Sequence, residues 1–184
     1  MILVRKNVPW FTAVLVILAY LGWGRAPSIR GNPEASAQSG RSGRSLVFIV
    51  NKVSPVDNLS PQDLRRVFLG ERTKWPDGHK ITVVMQDQGT EERDAFLHLV
   101  CHMNESDYTR YVLQAAFTGA VQGGPRVLSS AAGVVKFVSL VPGAIGYVRS
   151  GETDDSVKII KVDGVSPNAE GYKFGIIKLG KVQH

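Results

Sequence analysis

His98 and His102 stand four residues apart in a stretch that reads as helix, a spacing at which two imidazoles can meet one metal ion. The zinc-peptidase pattern needs a glutamate directly after the first histidine, and Leu99 stands there instead. Glu105 and Cys101 are the nearby candidates for a third ligand, so no metal is assigned and two surface or half-buried histidines are expected. Cys101 is the single cysteine, which excludes an internal disulfide and any site built from several thiolates. A nucleophilic thiol needs a depressed pKa and a base held close. His102, next in sequence, turns about 100° away on a helix, and Val100 marks an apolar stripe, so a core thiol is expected. Nucleophile, base and orienting group converge nowhere at recognisable spacing, and no enzyme is expected.

Two loops remain. Gly119 to Pro125 is glycine-rich but lacks the Gly-Lys-Ser/Thr ending of a phosphate-binding P-loop. Gln86-Asp87-Gln88-Gly89-Thr90 follows a strand pattern and precedes a helix pattern. Free backbone N–H groups and the helix dipole meet at such a junction, which suits an anion. Arg93, one turn into the helix, adds charge if its side chain folds back. Gln88, Gly89, Thr90 and Arg93 are therefore the candidate oxyanion ligands, and no cofactor is called for.

These loops need elements to hold them. Leu46 to Val50 is a continuous apolar run of strand length. Ser60 caps a helix with Pro61 at its first position, Asp63 near its positive end, and Leu64, Val67 and Phe68 on one face up to Gly70. Ile81 to Met85 reads as a second strand, after a Trp75-Pro-Asp-Gly78 turn. Thr90 caps a helix burying Ala95, Phe96, Leu99 and Val100. Asn104 to Asp107 begins another, with Tyr108, Tyr111, Val112 and Phe117 as its expected buried face. Ser129 or Ser130 caps a helix through Leu140, and Ala144 to Val148 and Val157 to Val162 read as strands. Strands alternating with helices predict an α/β fold with a mostly parallel core sheet and helices packed on it. Buried strand residues should include Val47, Ile49, Val83, Ile145 and Tyr147, with Phe68, Phe96 and Phe117 plugging helices onto the faces.

The 184 residues are 43% hydrophobic and 21% charged, the balance of a globular chain. The formal charge is +6, but four of the basic residues and one acidic residue precede position 38. The mild excess that remains gives no reason to expect nucleic acid. Arg5 and Lys6 precede an apolar run from Val8 to Trp23, and Ala35-Ser36-Ala37 offers a small-x-small cleavage pattern. Residues 1–37 are expected to be a signal peptide or an uncleaved N-terminal anchor, and 38–45 a polar linker. The protein is therefore expected outside the cytoplasm, periplasmic or extracellular, touching membrane only through this segment. A domain over 46–164 follows, and 165–184 is a tail or a last strand.

Three segments in order resemble the substrate-binding proteins of phosphate ABC transporters. They are Leu59 to Gly70 with Lys74-Trp75, Ile81 to Phe96, and the most specific, Pro142-Gly-Ala-Ile-Gly-Tyr147. The resemblance implies a type 2 periplasmic-binding-protein-like fold in a reduced, single-segment form. It implies a small oxyanion such as phosphate as ligand, and a membrane transporter or envelope protein as partner. The family's two lobes close around the anion, and its N-terminal anion loops would fall upstream of Leu46, where only signal and linker are expected. Its central loop reads Arg-x-x-Asp-Gly-Ser-Gly-Thr. On alignment the arginine falls on Met85 or Gln86, the aspartate on Gln88, the first glycine on Gly89 and the serine on Thr90, while Glu91 and Glu92 take the last two places. Two carboxylates at that entrance oppose a phosphate, so weak binding in support of uptake or sensing is expected. The alternative is an envelope interaction or scaffold protein that kept the fold and lost the ligand.

Overall fold

The computed structural model describes residues 45–119 and 124–175. The signal or anchor segment, nearly all of the linker, residues 120–123 of the glycine-rich loop and residues 176–184 lie outside the described residues.

Seven strands are described: β1 (Leu46–Asn51), β2 (Asn58–Leu59), β3 (Thr82–Gln86), β4 (Arg126–Leu128), β5 (Ala144–Arg149), β6 (Val157–Ile159) and β7 (Lys161–Val162). The helices are α1 (Pro61–Phe68), α2 (Glu91–Phe96), α3 (Glu105–Thr118) and α4 (Ala131–Leu140). Each helix starts where a short polar side chain caps it: Ser60, Thr90, Asn104 and Ser130 accept from the backbone N–H of Asp63, Arg93, Asp107 and Gly133. Such caps satisfy donors that the first turn leaves without partners.

The main sheet runs β4-β3-β5-β1-β6, and β2 pairs with β7 in a separate parallel ribbon. β3 is parallel to both β4 and β5, whereas β1 is antiparallel to β5 and to β6. Four strands thus share one direction and β1 runs against them, so the sheet is mixed. The parallel part is what the crossovers dictate, since β3–α2–α3–β4 and β4–α4–β5 each return the chain to the same edge. β1 enters from upstream and needs no crossover.

All of β1 is buried, because both faces of the sheet are covered. On one face Phe48, Met85, Ile145 and Tyr147 pack with Phe68, Phe96 and the rest of α1 to α3. Tyr147 and Phe96 stack at 4.5 Å between centroids, and Phe68 lies 4.5 Å from Phe96. On the other face Val47, Ile49, Val84 and Val148 receive Val134, Val135 and Val138 of α4. Gly146 is the reason α4 sits so close: a Cβ there would lie 2.8 Å from Val134 Cγ1. Asn51 fastens the far end of α4 by donating to the carbonyls of Val138 and Ser139, both at 2.9 Å. Val83 is half-buried rather than buried.

Two expectations fail for geometric reasons. Phe117 is 89% exposed. It lies nine residues beyond the buried Tyr108, which at 100° per residue places it about 180° around the helix. α2 continues not as α-helix but as a π-helical turn, Leu97–Cys101, ended by His102 at φ 55°. The wider turn brings Leu97 and Cys101 into the core beside Val100, and it separates His98 from His102, which no longer share one regular helix. Among the described residues no group of three metal-ligating side chains forms. Cys101 is buried and burial pushes its thiol up to about 12, so the core-thiol reading holds.

After β7 the chain returns to β1. Leu46 N–H donates to Phe174 O at 2.8 Å, Tyr172 Oη donates to Leu46 O at 2.9 Å, and Phe174 is buried against Phe48. Core packing therefore extends beyond Gly164 to at least Phe174.

Candidate functional site

The carboxyl ends of β3 and β5, neighbouring parallel strands, are where an α/β sheet presents loops and helix starts to a ligand. From β3 the chain makes a tight turn. Thr90 N–H donates to Asp87 O at 3.4 Å, Thr90 Oγ1 donates to the same carbonyl at 2.9 Å, and Thr90 Oγ1 accepts from Arg93 N–H at 3.3 Å. Gly89 adopts φ 87°, the left-handed region that this turn requires and glycine tolerates. Asp87, Gln88 and Gly89 are exposed and Thr90 is half-buried. Gln88, Gly89 and Thr90 thus form one accessible corner over the start of α2.

Arg93 does not join that corner. Its guanidinium grips Glu105 in a fork, Nε to Oε2 and Nη2 to Oε1, both 2.8 Å, and Nη1 donates to Gln86 O at 2.9 Å. Its side chain is 8% exposed and lies against the Tyr108 ring. Burial draws its pKa down, but the hydrogen bonds and charge of Glu105 more than offset this and hold it above the ordinary value. The pair ties α2 to the first turn of α3, where the Glu105 carboxylate also suits the helix dipole.

Glu91 and Glu92, the two carboxylates expected to repel an anion, are bound by Arg149 at the end of β5. Arg149 Nη2 donates to Glu91 Oε2 at 2.8 Å, and Arg149 Nε donates to Glu92. Glu92 is buried while Glu91 is half-exposed. The guanidinium is likewise pulled down by partial burial and raised overall by Glu92 and Glu91. A carboxylate pair and its own arginine therefore occupy the space in front of α2.

Three buried side-chain polar atoms have no hydrogen-bond partner among the described residues, Gln86 Nε2, Tyr147 Oη and Ser150 Oγ. Gln86 and Ser150 stand at the carboxyl ends of β3 and β5, and burial pushes the Tyr147 hydroxyl well above the usual phenol range.

Sequence reasoning placed Gln88, Gly89 and Thr90 together, and the structure does so too. It did not find Arg149 or the Arg93–Glu105 fork. The signal for Arg149 was its place two residues after Tyr147, at the end of a strand parallel to β3, which becomes visible only once the strand order is known.

No family model matches the chain. The phosphate-binding protein PstS of Bacillus subtilis (strain 168) is 29% identical over 144 residues, covering 76% of this chain and 43% of that protein. Among solved structures, an ABC-type phosphate transport receptor from Vibrio cholerae superposes with a TM-score of 0.56 at 23% identity over 67% of this chain and 48% of the receptor. A Clostridium perfringens structure with bound phosphate, described as that of a phosphate ABC transporter substrate-binding protein, gives a TM-score of 0.56 at 25% identity, covering 67% and 47%. The chain has the fold of phosphate-transporter substrate-binding proteins. It spans somewhat less than half the length of these relatives. The three motifs that resemble the family meet at Gly143 O, which accepts from Trp75 Nε1 at 3.0 Å and from Thr82 N–H at 3.2 Å.

Proposed function

We propose that the chain is an exported, phosphate-transporter-like substrate-binding module. It holds a small oxyanion weakly in support of uptake or sensing, through Gln88, Gly89 and Thr90 at the start of α2. It is a binding protein and not an enzyme. Its place is periplasmic or extracellular, cleaved or anchored at residues 1–37, and its protein partner is a membrane transporter or another envelope protein. Among the described residues no helix is long and apolar enough to cross a membrane.

The observation that carries weak binding is the commitment of both nearby guanidinium groups. Arg93 is held by Glu105 and Arg149 by Glu91 and Glu92. An arriving anion meets exposed backbone and a Thr90 hydroxyl that must leave Asp87 O to donate to it, while both nearby guanidinium groups are already engaged. A hydrogen bond to a charged group contributes about 1.5–3 kcal/mol, and a millimolar site is worth about 4.1 kcal/mol. Two such contacts near the lower end of that range come to about 3–4 kcal/mol, which is millimolar strength or weaker. Calorimetric titration with phosphate, sulfate, molybdate and simple carboxylates is expected to show nothing tighter than about 100 μM, and Thr90→Ala should weaken whatever is seen. A low-micromolar phosphate site would sink the weak-site reading.

The same commitment favours a second reading, an envelope interaction or scaffold protein that kept the fold without a ligand. Complete absence of oxyanion binding, with a partner recovered by crosslinking in cells, would decide for it.

A further inference from the structure

Between α1 and β3 the chain folds into a short hairpin. Ile81 N–H donates to Thr73 O at 2.8 Å, Trp75 N–H donates to His79 O at 2.9 Å, and Gly78 N–H donates to Trp75 O at 3.0 Å across the Pro76-Asp77 turn. The first two bonds flank the bridge between Lys74 and Lys80. Those lysines are therefore a non-hydrogen-bonded cross-strand pair, with Cα atoms about 4.5 Å apart. Side chains alternate along a strand. Trp75 and Ile81 turn inward and are buried, and Lys74 and Lys80 are exposed on the other side.

Like charges directly opposite each other destabilise a strand pair, and neither ammonium has a carboxylate partner among the described residues. The carboxylates nearest in sequence are engaged elsewhere. Asp77 accepts from His79 N–H at 3.0 Å and lies 3.0 Å from its Nδ1. Glu71 lies 3.9 Å from Arg66, and Asp63 accepts from Ser60 Oγ and lies 3.6 Å from Arg72. The backbone of the pair is also held in place. Trp75 Nε1 donates to Gly143 O, and Lys80 O sits where a Cβ on Gly143 would lie 2.4 Å away.

We propose that the Lys74–Lys80 hairpin is a docking surface for a partner protein that presents an acidic segment. Carboxylates of that segment supply the countercharge that the pair lacks, and complementary charge steers the encounter and selects the partner. A lipid surface fits less well. Segments that settle into a bilayer interface carry exposed aromatic or aliphatic side chains, whereas Trp75 is buried and the hairpin exposes no large hydrophobic residue. The hairpin precedes β3 and the Gln88–Thr90 corner follows it, so a docked partner leaves the corner open. The surface deepens the proposed function, because it rests on the chain having a protein partner.

The test is binding of the 184-residue chain to immobilised polyglutamate. Binding is expected at low salt and should fall as salt is raised. Lys74→Gln combined with Lys80→Gln should weaken it about tenfold. Lys136→Gln combined with Lys173→Gln removes equal charge at two other exposed lysines and should weaken it less than about twofold. Lys80→Glu should weaken it as well while raising the thermal transition, since an opposite-charge pair replaces a like-charge one. Thr90→Ala should leave it unchanged, and phosphate affinity should be the same in both lysine variants, so this surface and the oxyanion corner can fail separately. The proposal is overturned if polyglutamate does not bind, if the two double variants lose equally, or if Lys80→Glu binds like the parent. It is equally overturned if phosphatidylglycerol vesicles bind the parent more tightly than polyglutamate does and lose that binding in the Lys74→Gln, Lys80→Gln variant.

Discussion

Gly143 and Gly89 both adopt left-handed backbone, at φ 84° and 87°, yet they stand in opposite surroundings. A Cβ on Gly143 would lie 2.4 Å from Lys80 O, and Gly143 O accepts the Trp75 indole N–H. A Cβ on Gly89 would meet nothing within 4 Å. The first glycine is pinned by packing between the turn before β5 and the Trp75 turn. The second answers only to its own turn. The two regions differ accordingly: the Pro142–Tyr147 segment keeps the pattern it resembles, and the Gln86–Arg93 loop departs from it. Packing allows the turn before β5 few substitutions, whereas the exposed stretch from Asp87 to Gly89 is free to take other side chains.

Arg93 is where this contrast is easiest to break. It lies in the loop region but is bound like a core residue. Removing one partner of a buried ion pair costs about 3–5 kcal/mol, because the other charge is left stranded. Arg93→Ala should lose stability on that scale in urea denaturation, through the exposed need of Glu105. Arg93→Met with Glu105→Leu, which removes both charges and keeps volume, should recover most of it. If Arg93→Ala unfolds at the parent's urea midpoint, the Arg93–Glu105 pair does not hold α2 to α3.

A smaller effect separates the two glycines. Alanine in the left-handed region costs about 1–2 kcal/mol at either position. Gly143→Ala must also push the Lys80 carbonyl away, and overpacking of that kind adds about 1–3 kcal/mol. The difference in unfolding free energy between Gly143→Ala and Gly89→Ala should thus be at least about 1 kcal/mol. Equal losses would mean that the turn before β5 yields as easily as the loop.

What could be read ahead followed the range of each interaction along the chain. Caps are local, so Ser60, Thr90 and Asn104 were legible from the residue type and the apolar pattern behind it. The cap of α4, left between Ser129 and Ser130, resolves to Ser130 because its hydroxyl reaches Gly133 N–H at 3.1 Å. The strands stood out as apolar runs, but the direction of β1 did not, since nothing within Leu46–Asn51 encodes which neighbour it will pair with. Phe117 is apolar by type, but its angle from Tyr108 on α3 turns it to solvent. The π-helical turn is a one-residue accommodation to packing and leaves no mark on composition. The site was half legible for the same reason. Gln88, Gly89 and Thr90 are contiguous, whereas Arg93 and Glu105 come from two helices, and Arg149 reaches Glu92 across a separation of 57 residues.

The last and smallest perturbation tests whether the loop's charges are what keep the anion loosely held. Glu91 and Glu92 compete with any oxyanion for Arg149 and add repulsion at the start of α2. Replacing both with glutamine keeps shape and hydrogen-bonding capacity while removing two negative charges. The Arg149–Glu91 pair is exposed and contributes no more than about 1 kcal/mol to stability, whereas Glu92 is buried and its pair accounts for most of what the double variant loses. Urea denaturation of the double variant should therefore accompany the titration, which is read on folded protein. The gain should appear in binding, because one newly available charge-assisted contact contributes about 1.5–3 kcal/mol, and each 1.4 kcal/mol is about tenfold in affinity. Phosphate should bind the Glu91→Gln, Glu92→Gln variant at least about tenfold more tightly than the parent, with the gain shrinking in high salt and disappearing when Arg149→Gln is added. If phosphate affinity stays where it was, Arg149 does not face the anion, and the corner formed by Gln88, Gly89 and Thr90 lacks something other than a free cation. The interaction-protein reading would then be the stronger of the two.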